Sequence, residues 1–226
     1  MERHHFEGEL QVLKQRLLTM GALVEDRANR AVRSLIDRRV DEAERVISSD
    51  QEVNDLQIEI DDRCLKLLAL QQPAASDLRL ITAAIKINDD LERIGDQAVN
   101  IAQNVIKVLP QPPLKPLIDI PRMAEIAQAM TRDALDAFVR RDPDLARRVL
   151  KRDDEVDDLK DQVFRELLTY MMADPGTIQR ALALILISRN IERIADHATN
   201  IAEDVIFLVE ARDVRHHHEP EKVEKR

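Results

Sequence analysis

The chain has 226 residues, with 34 Lys plus Arg against 43 Asp plus Glu, four Gly, four Phe, one Tyr and no Trp. Sheet-forming chains draw on aromatic and β-branched residues, and at a usage of roughly 7 % a chain of this length carries about sixteen glycines, so the composition argues against a β-rich or Gly-loop nucleotide-binding fold. The net charge of −9 argues against a nucleic-acid groove, which needs a basic stripe, and the single Cys64 excludes an intrachain disulfide and a thiolate metal cage.

In chain order, hydrophobic periodicity predicts three helices in the first half: Phe6–Asp37, Asp41–Gln71 and Ser76–Leu109. Five of the nine prolines then fall between Pro110 and Pro121, a segment that cannot continue a helix and reads as a linker. Three more helices follow, at Pro121–Arg140, Pro143–Ala173 and Gly176–Ala211. Pro73 followed by Ser76, and Asp142 followed by Pro143, are helix-start signals. The division is therefore a bundle over 1–109, a linker over 110–121, a second bundle over 122–212 and a polar tail over 213–226 with a frayed His216–His218 run. The opening MERHHFEGELQ has no apolar leader core, and the longest wholly apolar run is Ala181–Ile187, so no membrane crossing is expected and the cytoplasm is the default compartment.

The halves repeat one another. Leu91–Ile106 (LERIGDQAVNIAQNVI) and Ile191–Ile206 (IERIADHATNIAEDVI) share ten of sixteen residues at a spacing of 100, and Asp50–Leu56 matches Asp153–Leu159 at a spacing of 103. Short turns between long helices favour antiparallel neighbours, so the expected fold is all-α, two antiparallel three-helix bundles in tandem.

Turning about 100° per residue along the third helix from Ile87 places Leu91, Ile94, Ala98, Ile101, Val105 and Leu109 on one core-facing stripe. Glu92, Asp96 and Asn100 fall on the far side. The sixth helix repeats this, with Ile187, Ile191, Ile194, Ala198, Ile201, Val205 and Val209 inward and Glu192, Asp196 and Asn200 outward. A solvated helix face explains one such stripe. It does not explain why Glu, Arg, Asp and Asn recur while neighbours change between copies, Asp89 against Arg189, Gln97 against His197 and Lys107 against Phe207. Like charges at i and i+4 also weaken a helix by a few tenths of a kcal/mol unless a cation lies between them.

Oxygen ligands at i, i+4 and i+8 stand about 6 Å apart, a spacing suited to several hard cations side by side. The second helices add Asp50 and Asn54 in one half and Asp153 and Asp157 in the other. Arg93 and Arg193, next to the first ligand of each stripe, are candidates to orient a carboxylate or to form ordinary surface ion pairs. Oxygen donors alone accept magnesium, manganese and iron alike. A ferritin-like oxidase needs Glu-x-x-His on inward-facing helices, and Glu2 to His5 is the lone instance. Cys64, among Ile60, Leu67 and Leu68, reads as a small buried hydrophobe.

The two E-R-I-(G/A)-D motifs with Asn four residues on, QPAASDLRL at 72–80 and TYMMADPGTI at 169–178, together resemble the PhoU family over about residues 6–216. That resemblance implies a pseudo-twofold between the bundles, frequent homodimerisation and multinuclear metal clusters at Glu92, Asp96, Glu192 and Asp196, with iron favoured and manganese, magnesium or zinc as alternatives. It further implies a non-enzymatic negative regulator of phosphate uptake, set between the cytoplasmic subunits of a phosphate ABC transporter and a sensor histidine kinase. Such a protein meets the membrane only through its partners and binds no nucleic acid. The rival expectation is a carboxylate-bridged metal enzyme acting on phosphate compounds or peroxide; the blander one is an acidic face that serves only solubility.

Overall fold

The computed structural model describes residues 2–71 and 73–214, leaving aside the side chains of 2–5 and 71. The His216–His218 run therefore lies outside the described residues, as does all but the start of the expected tail. Among the described residues there are seven α-helices: α1 (Glu2–Ile36), α2 (Val40–Ser48), α3 (Gln51–Gln71), α4 (Ala75–Val108), α5 (Asp119–Arg140), α6 (Pro143–Ala173) and α7 (Ile178–Glu210). A single 3-10 turn, Pro175–Thr177, leads into α7. No strand occurs among the described residues, and none of their helices is long and apolar enough to cross a membrane.

One expected helix is two. The segment expected to run unbroken from 41 to 71 ends at Ser48 and restarts at Gln51, whereas its counterpart α6 is continuous. The difference lies in three residues. Ser48 and Ser49 stand where the second copy has Lys151 and Arg152, and serine hydroxyls compete for backbone hydrogen bonds that long unbranched side chains leave alone. Ser49 sits at φ −88°, ψ 2°, and its carbonyl, which takes the Glu52 amide at 3.3 Å, also accepts a hydrogen bond from Arg27 Nη2. Arg27 is 1 % exposed, and its counterpart Met130, beside the unbroken α6, is 0 % exposed. The first bundle thus has four helices, with a buried guanidinium satisfying the break.

The stripes set the packing. Ile87, Leu91, Ile94, Ala98, Ile101, Val105 and Leu109 are buried, as are Ile187, Ile191, Ile194, Ala198, Ile201 and Val205. Val209, expected inward, is 37 % exposed, because the core runs out in the last turn of α7. The bundles pack through α4 against α7 and through α1 against α5. Polar pairs cross the first contact: Lys86 Nζ donates to Asp204 Oδ1 at 2.8 Å, and His197 Nδ1 lies 2.9 Å from Asp90 Oδ1. Gln97, expected outward, is only 7 % exposed. It follows Asp90 by seven residues, which puts it on the α4 flank that meets α7. At the α1–α5 crossing a Cβ on Gly21 would overlap Leu135 Cδ1, so glycine there sets how closely the helices approach.

The linker is tied at both ends. Arg38, at φ 55° just past α1, donates to the carbonyls of Leu109 and Gln111, each at 2.7 Å. Lys115, with its side chain 7 % exposed, pairs with Glu166 and lies 4.0 Å from Asp119. Arg141 repeats the left-handed cap at φ 54°, and Asp142 then caps α6 by accepting from the amides of Asp144 and Leu145 at 3.0 and 2.9 Å.

Candidate metal centres

In the second bundle α6 and α7 run antiparallel side by side, and their facing flanks bring Asp153 and Asp157 into the field of Glu192 and Asp196. Lys160, one turn beyond Asp157, reaches into this group: its Nζ donates to Asp157 Oδ1 at 2.7 Å and to Glu192 Oε1 at 3.1 Å. These bonds favour the charged ammonium and raise the pKa of Lys160. Asp153 is pushed from 3.8 to about 6, first by burial and then by Asp196, Asp157, Asp154 and Glu192, all acting in the same direction. Asp196 is also raised, by burial and then by Glu192 and Asp157, with His197 and Lys160 opposing.

The first bundle assembles Asp50, Glu92 and Asp96. Asp50 precedes α3, its carbonyl taking the amides of Val53 and Asn54 at 3.1 and 3.5 Å. Burial, then the Asp96 charge, raise Glu92, with Asp50 adding to this; Asp96 is raised by burial and then by Asp50, while Arg93 offsets both. Asn54 leans on Asp50, Nδ2 to Oδ2 at 3.4 Å. Arg27 Nη1 stands 3.9 Å from Asp50, behind the carboxylates.

Seven of the ten expected ligands, all of them carboxylates, therefore lie in two groups, the first reaching from the turn before α3 to α4 and the second from α6 to α7. The amides fare differently. Asn200 Nδ2 is turned to Asp90 Oδ1 at 3.2 Å across the α4–α7 contact, away from the α6 carboxylates, because successive i+4 steps rotate about 40° around the helix and carry it to the inter-bundle flank. Asn100 contributes its backbone carbonyl to Asn104 Nδ2 at 2.8 Å. Arg93 is exposed yet lies close enough to act on Glu92 and Asp96; Arg193 is exposed as well.

Two charged residues of these groups escaped sequence reasoning. Overlaying the copies at a spacing of 103 exposes both, since Lys160 faces Gln57 and Arg27 faces Met130.

Among the described residues no three His, Cys, Asp or Glu side chains converge closely enough to enclose an ion as they stand. The donor chemistry nevertheless suits a hard cation. Every candidate donor is an oxygen, and the Lys160 ammonium already draws Asp157 and Glu192, from two different helices, toward one positive charge. Cys64 offers nothing to such a site: it is buried, and burial pushes its thiol up to about 12.

A tandem all-helical protein whose two bundles each expose a carboxylate group across a helix pair is the class defined by this fold and these sites. The chain belongs to the PhoU family: the PhoU domain matches at residues 17–105 and again at 120–205, one copy per bundle. A phosphate-specific transport system accessory protein PhoU homolog from Pseudomonas putida is 44 % identical over 218 residues, covering 94 % of this chain and 85 % of that protein. The corresponding Escherichia coli accessory protein PhoU is 36 % identical over 211 residues, covering 93 % and 88 %. The crystal structure of PhoU from Pseudomonas aeruginosa superposes with a TM-score of 0.88 at 43 % identity, covering 92 % of this chain and all of that one. The phosphate transport system regulatory protein PhoU from Streptococcus pneumoniae gives 0.85 at 29 % identity, covering 92 % and 99 %.

Proposed function

We propose that this chain is a metal-binding regulatory adaptor of phosphate-specific transport, acting as a negative regulator of uptake and of the phosphate-starvation response. Its relatives are named as accessory and regulatory proteins of that system, which supports the role. The observation that carries the metal reading is the pair of carboxylate groups, Asp50, Glu92 and Asp96 in one bundle and Asp153, Asp157, Glu192 and Asp196 in the other, where burial and then the neighbouring carboxylates lift Asp153 to about 6. Bound cations, iron first and otherwise manganese, magnesium or zinc, would supply positive charge beyond what Arg27 and Lys160 provide there. The helical faces would contact the cytoplasmic transporter subunits and the sensor kinase, with the protein a cytoplasmic homodimer that touches the membrane only through them.

Metal content of tagless protein purified without chelator should fall by at least half when Glu92, Asp96, Glu192 and Asp196 are all changed to Ala. Unchanged stoichiometry would sink the ligand assignment. Co-purification with the transporter ATPase and with the kinase, with and without chelator, tests the adaptor role; association with neither partner in either condition refutes it.

A further inference from the structure

We propose that Lys160 is a built-in occupant of the second carboxylate group, so that the two bundles take up metal unequally, the first ahead of the second. The inference rests on the metal reading above and concerns how this chain's own residues set the order of loading.

In the second bundle the positive charge is already inside. Lys160 Nζ lies 2.7 Å from Asp157 Oδ1, 3.1 Å from Glu192 Oε1 and 4.0 Å from Asp161 Oδ1, bridging α6 to α7. Charge-assisted bonds of this length are about twice as strong as neutral ones. An incoming cation has to take those oxygens from the ammonium and meets its repulsion while doing so. Displacement is open to Lys160, whose flexible four-carbon stem stands in a part-exposed position beside Asp161.

The first bundle carries no equivalent. Gln57 stands where Lys160 does, and its amide is turned to Asp89 Oδ1 at 3.3 Å. The cation that group does have is of another kind. Arg27 is buried, tethered to the Ser49 carbonyl behind Asp50, with Nη1 3.9 Å from Oδ1. A guanidinium held by the helix break does not bridge Asp50 to the α4 carboxylates, so a metal ion entering there displaces no cation, only the Asn54 amide that leans on Asp50 at 3.4 Å. Met130 at the corresponding place in the second bundle means that the two copies exchanged a fixed cation behind the ligands for a mobile one among them.

Titrate the full chain, stripped by chelator, with manganese in a calorimeter, reading free ion in parallel by its paramagnetic resonance. Two classes of sites separated by at least about tenfold, or about 1.4 kcal/mol, are expected. Glu92→Ala with Asp96→Ala should abolish the tight class, and Glu192→Ala with Asp196→Ala the weak one. Lys160→Gln, which installs the residue of the first copy, should bring the weak class to within about threefold of the tight one, and Gln57→Lys should weaken the tight class. The inference is overturned if Lys160→Gln leaves the isotherm unchanged, or if the tight class survives loss of Glu92 and Asp96. No manganese binding by the wild-type chain at millimolar ion would instead overturn the metal reading, and the inference with it. Circular dichroism of each variant confirms that loss of a class is not loss of the fold.

Discussion

Asp153→Asn should stabilise the metal-free protein at neutral pH while weakening metal uptake by the second bundle. Asp153 is held at about 6 against an ordinary 3.8, and at about 1.4 kcal/mol per unit the full shift corresponds to about 3 kcal/mol. The side chain is only partly buried, so screening by solvent reduces this to about 1–2 kcal/mol. Above pH 6 the carboxylate is ionised in both folded and unfolded chains, and the fold carries the whole cost of burying it and of holding it beside Asp196, Asp157 and Glu192. As pH falls through 6 the folded chain takes up the proton first, and the cost is relieved, completely so below the unfolded value of 3.8. An amide of the same shape imitates the protonated acid at every pH. In urea melts with chelator at pH 7.5 the variant should therefore gain about 1–2 kcal/mol, a rise of about 2–8 °C in Tm for a chain of this size, and its advantage should fade as pH approaches 4. A variant no more stable than wild type at pH 7.5, or an advantage that does not shrink with falling pH, would refute the electrostatic account of the site.

The glycines of the first bundle should respond oppositely to Ala. A Cβ at Gly95 meets the Val53 and Val24 side chains at 3.4 and 3.5 Å, ordinary contact, and the second copy already has Ala195 there, so Gly95→Ala should gain up to about 1 kcal/mol in urea melts. Gly21→Ala forces Leu135 out of its place between α1 and α5 and should lose about 1–2 kcal/mol, partly restored by Leu135→Ala. Two of the left-handed helix caps, Arg38 and Arg141, also separate. Arg141→Gly should gain about 0.5–1 kcal/mol by relieving a positive φ, whereas Arg38→Gly should gain nothing or lose, since it also removes the bonds to Leu109 and Gln111 that hold the linker; thermal melts of the two variants side by side decide this.

The helical class, the tandem repeat and both core stripes were legible because long helices of 33 and 34 residues repeat a 3.6-residue pattern many times over. The break before Asp50 was not, because periodicity continues through Ser48 and Ser49 and the guanidinium that stabilises the break comes from α1, 22 residues upstream. The same limit applies to the sites. Carboxylates on one helix announce themselves at i and i+4, but which flank faces a neighbour depends on packing: Gln97 and Asn200 belong to the contact between the bundles, while Lys160 turns inward to the acids. Comparing the copies was the signal that could have found Lys160 and Arg27, since each stands opposite an uncharged residue, Gln57 and Met130, when the copies are overlaid at a spacing of 103.

The duplication makes each bundle a reference for the other. Shared features reflect what both copies require, and those are the carboxylates Glu92 and Glu192, Asp96 and Asp196, and Asp50 and Asp153, although grouping them lowers stability in the absence of a cation. A purely structural surface would lose nothing by exchanging one of each pair for an amide, as position 54 has done against Asp157. What differs between the copies is where the compensating positive charge resides: on Arg27, held behind the carboxylates by the Ser49 carbonyl at the helix break, or on Lys160, placed among them at the end of a flexible stem. Retained repulsion with relocated compensation is the pattern expected when the acids serve a ligand and the neighbouring cations set how readily that ligand enters.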